Sequence, residues 1–116
     1  MQIQVNTDNN VQGDDSLAGW VRQELEEKLA RFSEHITRIE VHLSDLNAAR
    51  EGEADKRCLI EARLAGRQPT AVSHDAGKVA EAVYGATQKL VHALDKIVGR
   101  SRDAHRRESI RGDAGE

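Results

Sequence analysis

The sequence predicts an α+β fold, a two-layer β-α-β-β-β-α sandwich in which two helices cover one face of a four-stranded sheet. Three observations predict it. Residues 2–6 alternate apolar and polar side chains, as do 38–44 and 58–64. Two longer stretches, Leu17 to Phe32 and Val79 to Ile97, instead repeat their apolar residues at steps of three and four. Each helix then carries one apolar stripe, and a single sheet face is the simplest cover for both stripes.

In chain order, Ile3 and Val5 point one way from the first strand while Gln2, Gln4 and Asn6 point the other. Asp8, Asn9, Asn10, Gly13, Asp14 and Asp15 make a turn, and one of Asp14, Asp15 or Ser16 caps the first helix by accepting hydrogen bonds from its unpaired amides. Leu17, Trp20, Val21, Leu25, Leu29 and Phe32 form its stripe over residues 16–33. Ile39, Val41 and Leu43 mark the second strand; Cys58, Ile60, Ala62 and Leu64 mark the third. The small, polar run 45–55 between them is a mobile connection. Gly66, Arg67, Gln68 and Pro69 turn the chain into a short fourth strand, Thr70 to His74, giving an antiparallel meander. Asp75 caps the second helix, whose stripe is Val79, Val83, Ala86, Leu90, Leu94 and Ile97, and Gly99 ends it. Residues 1–99 thus form one domain, and the polar, Arg-rich residues 100–116 are a disordered or induced-fold tail.

Composition narrows the function classes. The 116 residues are 38% apolar and 32% charged but hold only three aromatic rings, which weighs against stacking nucleobases on an aromatic platform. No apolar run approaches the ~20 residues that cross a bilayer, and no basic-then-apolar leader opens the chain, so the expected location is cytoplasmic, with no membrane contact. The single Cys58 excludes an internal disulfide and agrees with a reducing compartment. Residues 1–55 hold 12 acids and 5 bases, a net −7, whereas residues 56–116 hold 12 bases and 8 acids, a net +4. A mean pI near 6 therefore hides a local basic field.

That field is concentrated on the second helix. With Lys78 as origin and about 100° per residue, Lys96 falls near 0°, Lys89 near 20°, Arg100 near 40° and His92 near −40°, while the apolar stripe spans roughly 80° to 160°. Five potential cations share one solvent-facing stripe. Gly85 lies inside it, where a missing side chain admits the backbone of a partner. The bland alternative is a solvated helix face. Against it, the acids Glu81 and Asp95 lie to one side, and bases continue through Arg102, Arg106, Arg107 and Arg111. Spaced cations of this kind suit phosphates without reading base sequence.

Catalysis finds weak support: there is no phosphate-cradling glycine loop, no nucleophile elbow and no Cys and His pair at suggestive spacing. Cys58 reads as a small core residue, the histidines His74 and His92 as surface groups rather than metal ligands, and Glu26 with Glu27 as helix solvation. No cofactor and no metal are expected.

Particular residues add a resemblance. The opening MQIQV with Asn9 and Asn10, the stretch VRQELEEKLARF, the Ile and Arg of HITRIEVHL, and EAVYGATQKLVHALDKIVGR together resemble the ribosome hibernation promoting factor family over roughly residues 1–102. Within the second of these, Arg22, Lys28 and Arg31 fall where the family places bases; His92 and Asp95 stand where it usually has Arg or Lys. The resemblance implies a double-stranded-RNA-binding-like fold, in a short-type member without the dimerising second domain. It also implies a non-enzymatic role, that of a protein which sits in the decoding channel of the small ribosomal subunit and holds idle ribosomes inactive. The residues then expected to contact rRNA phosphates are Lys78, Lys89, His92, Lys96, Arg100 and Arg102, extended by Arg22, Lys28, Arg31 and Arg38, with the protein a monomer. The alternative is a protein–protein interaction module of the same fold with little ribosome affinity, whose acidic first half meets a protein partner.

Overall fold

The computed structural model describes residues 1–8, 15–46 and 55–114, with side chains described as far as residue 99. Its elements run β1 (Gln2–Thr7), α1 (Asp15–Lys28), a 3-10 turn (Ala30–Phe32), β2 (Ile36–Asp45), β3 (Lys56–Leu64), β4 (Thr70–Ala76) and α2 (Val79–Ala114). The sheet order is β1-β2-β3-β4. β1 lies parallel to β2, with Ile3 opposite Ile39 and Val5 opposite Val41, because α1 carries the chain across between them. β2, β3 and β4 form the expected antiparallel meander. Gly66, at φ 69°, supplies the left-handed residue of the turn between β3 and β4 that a side chain would resist.

Both helices lie on one face. Val21, Leu25 and Leu29 of the first helical stretch, with Phe32 in the tighter turn after it, meet Ile39, Val41, Leu43, Cys58, Ile60 and Ala62 of the sheet. From α2 come Ala82, Val83, Ala86, Leu90, Leu94 and Val98. The buried stripe of α2 is thus wider than the spacing predicted, with Ala82 and Val98 added on its flanks and Val79 and Ile97 only partly covered. Burying a leucine such as Leu90 contributes about 2–3 kcal/mol. Among the described residues the opposite sheet face has no helix over it, and it presents the polar half of each alternation.

Three expectations are corrected. Asp75 does not cap α2: β4 continues to Ala76, and Asp75 pairs with Arg57 across the sheet. Gly99 does not end the helix. The helical backbone runs on through Ala114. Gly99 has no positive φ, and a helical glycine costs only about 1 kcal/mol, which helix-forming Arg, Ala and Glu beyond it offset. The first helix is also shorter, with residues 30–32 tightening into the 3-10 turn. The turn residues Asn9, Asn10, Gly13 and Asp14, and 47–54 of the β2–β3 connection, lie outside the described residues.

Candidate nucleic-acid interface on the helix layer

Because α2 buries Val83, Ala86, Leu90 and Leu94 against the sheet, its 100° periodicity turns Lys89, His92 and Lys96 outward, and these three are exposed, as is Lys78 just before the helix. At 1.5 Å per residue, Lys89 and Lys96 are about 10 Å apart along the axis and Lys78 about 16 Å from Lys89. Lys78, His92 and Lys96 take no ion-pair partner among the described residues. Lys89 is tethered: its Nζ donates to the Ser73 carbonyl at 2.9 Å. β4 is an edge strand, so its outer carbonyls lack a ladder partner and one can accept from the helix. The tether positions the ammonium without cancelling its charge.

The remaining predicted cations separate into distinct environments. Lys28 lies 4.0 Å from Glu24 Oε1, one turn earlier on α1, and both border the groove between α1 and α2. Arg31 is committed elsewhere: its two terminal nitrogens contact the two Asp95 oxygens at 2.7 and 2.9 Å, and its guanidinium stacks 4.2 Å from the Phe32 ring centre. The hydrogen bond to Asp95 raises its already high pKa, so the pair is a charge-neutral strut between the 3-10 turn and α2. Arg22 is exposed roughly 100° round α1 from buried Val21, on the flank away from Glu24 and Lys28. Arg38 lies on the open sheet face, where it donates to Gln4 and, at 3.1 Å, to Glu40. Lys28, Lys89 and His92 therefore border one groove, with Lys96 further along α2 and Lys78 just before it; Arg22, Arg31 and Arg38 stand apart. The side chains of Arg100 and Arg102 lie outside the described residues.

The sequence reading missed the seam between the helices. Trp20 of α1 meets Tyr84 of α2 edge to face, with ring centres 5.4 Å apart and planes at 86°. Tyr84, Gln88 and Asp95 form the α2 wall of the groove, whose opposite wall holds Glu24 and Lys28. Both rings were visible in the sequence, but nothing in either helix's own periodicity tells which flank meets the other. Gly85 is corrected as well. The space it leaves is filled by this chain's own His74, whose Cδ2 lies 2.1 Å from where a Cβ would be. Cys58 is fully buried, and burial pushes its thiol up to about 12, which leaves it without the thiolate that nucleophilic chemistry needs.

A family model described as sigma 54 modulation protein / S30EA ribosomal protein matches residues 3–106. Among solved structures, the chain is similar to the N-terminal domain of Protein Y from Thermus thermophilus. Identity is 18% and the TM-score 0.67, covering 84% of this chain and 99% of that one. A ribosomal subunit interface protein from Coxiella burnetii is similar at 20% identity and a TM-score of 0.64, covering 85% and 99%. At these identities the likeness establishes the shared fold. No curated protein sequence matches significantly.

Proposed function

The chain belongs to the sigma 54 modulation protein / S30EA ribosomal protein family, and on that premise we propose that it is a non-catalytic, cytoplasmic protein that binds the small ribosomal subunit at its decoding region and holds idle ribosomes inactive. The observation that carries this reading is the row of outward basic side chains, Lys78 just before α2 and Lys89, His92 and Lys96 on it, none of which forms an ion pair among the described residues. The nearest acid on the outer flank, Asp95, is occupied by Arg31. Such a row meets rRNA phosphates through charge and spacing. Lys28 joins it from α1, across the groove between the two helices. A monomer bound there blocks the path of tRNA and mRNA by occupying it.

Co-sedimentation with ribosomes tests the reading. The wild type pellets at low salt, and the double variant Lys89→Glu with Lys96→Glu stays in the supernatant while keeping its circular dichroism. Both side chains are exposed, and such substitutions change stability by less than about 0.5 kcal/mol. Leu90→Asp is the contrast: it buries an unpaired charge in the core and removes the fold along with the binding. Undiminished pelleting of the folded double variant refutes the α2 interface. A wild type that never pellets leaves the protein-partner reading, for which the exposed Glu26 and Glu27 on α1 offer the surface.

A further inference from the structure

On the face of the sheet that the helices leave open, strand register assembles a set of side chains that the ribosome-binding reading does not use. Glu40 and His42 stand two residues apart on β2 and so point the same way. Glu61 on β3 is directly opposite Glu40 in the antiparallel register. All three are half-buried, and their ligand-type atoms lie within 4.8 Å of one another, with His42 Nε2 at 4.0 Å from Glu40 Oε2. We propose that Glu40, His42 and Glu61 form a binding site for a divalent transition-metal ion of the zinc class.

The physical case begins with charge. Two carboxylates directly opposite on one sheet face repel each other. Arg38 relieves one side only: its Nε donates to Glu40 Oε1 at 3.1 Å, leaving Oε2 turned towards His42. Glu61 takes no ion-pair partner among the described residues. A cation between the two carboxylates and the imidazole converts this repulsion into attraction.

Geometry agrees. Bonds of about 2.0–2.2 Å to oxygen and nitrogen put the donors of a tetrahedral zinc shell about 3.4 Å apart. The observed separations close to that value by moving roughly 1 Å, within reach of the broad terminal torsions of Glu and His. Three protein ligands leave a fourth position facing solvent. The donor set selects the ion class: one imidazole with two carboxylates suits zinc, cobalt or manganese, whereas magnesium favours oxygen ligands alone. Arg38 acts from outside the shell by fixing the Glu40 carboxylate, and is itself held by Gln4 on β1. Bound metal would cross-link β2 to β3 and stabilise the sheet by mass action.

The experiment is calorimetric titration of the tag-free protein with zinc chloride, magnesium chloride serving as control, beside thermal melts with and without zinc. The wild type should bind one equivalent of zinc and melt higher in its presence, while magnesium does neither. His42→Ala and Glu61→Gln should each weaken zinc binding at least about 10-fold and abolish the melting shift. His92→Gln, on the opposite layer, should change neither. The wild type alone supplies a second readout, since zinc should shift the imidazole resonances of His42 before those of any other histidine. Absence of zinc binding, equal affinity in the variants, or first shifts at another histidine would each overturn the proposal. Because ribosome co-sedimentation reads the helix layer, failure of either reading leaves the other standing.

Discussion

At Gly85 the space of a missing side chain is occupied by the imidazole of His74, with Cδ2 at 2.1 Å and Cγ and Nε2 at 2.4 Å from a hypothetical Cβ. Two effects of Gly85→Ala then oppose each other. Alanine favours the helix by about 0.5–1 kcal/mol over glycine, but its methyl displaces a ring lodged between β4 and α2. The clash should win in the wild type, so Gly85→Ala lowers stability in urea denaturation. In a His74→Ala background the obstacle is gone, and the same substitution should raise stability by up to ~1 kcal/mol. Equal effects in both backgrounds would show that the imidazole does not pack there. The glycine and its place on the outward stripe were legible in the sequence. Its occupant was not, because the contact joins residues of different elements through tertiary packing alone.

Between elements, the Arg57–Asp75 pair shows where sequence reasoning stopped. An Asp just before an apolar-periodic run is a sound capping signal, and α2 does begin nearby, at Val79. The register of β3 against β4 instead sets Asp75 opposite Arg57, with Nε and a terminal nitrogen donating to its two oxygens at 2.8 and 3.1 Å. Register is a property of the pair of strands, and no local pattern carried it. By contrast, the alternations 38–44 and 58–64 and the α2 stripe gave both strands and the helix face, since burial on one side imposes those periods directly. For the candidate site, the same logic made the outward placement of Lys89, His92 and Lys96 legible, whereas Arg31's capture by Asp95 depended on how the helices pack. The Arg57 hydrogen bond holds the Asp75 carboxyl below its ordinary value of 3.8, with weaker help from His74 and Lys89. A depressed carboxyl contributes stability that is present above its unfolded pKa and lost as pH falls through the folded one. Stability should therefore decline below about pH 4, and Asp75→Asn should flatten part of that decline while costing stability at neutral pH. The pair is substantially exposed, so the effect is modest. Acid melts of the two proteins with identical slopes would remove Asp75 from the account.

Over the whole molecule, folding sorts charge between the two layers. The core fixes which sides of α1 and α2 face out, the meander leaves the polar sheet face opposite, and Arg38 is thereby drawn away from the helix cations into a contact with Glu40. What remains on the helix layer is Lys78, Lys89, Lys96 and Lys28, with His92 among them and Arg22 on the far flank of α1. Exposed Glu26 and Glu27 on α1 oppose that field, so the effective contact number is smaller than a count of bases suggests. Each phosphate neutralised releases about 0.7 to 0.9 counterion, so four to six contacts give a log-log slope of binding against salt of roughly −3 to −5. Ribosome binding measured by sedimentation between 50 and 300 mM monovalent salt should yield that slope, and Lys96→Gln should make it shallower by about one contact. A slope near zero would assign binding to apolar or protein surfaces and sink the phosphate reading. If the wild-type slope survived unchanged in Lys96→Gln, the salt dependence would belong to cations elsewhere on the molecule and not to the row on α2.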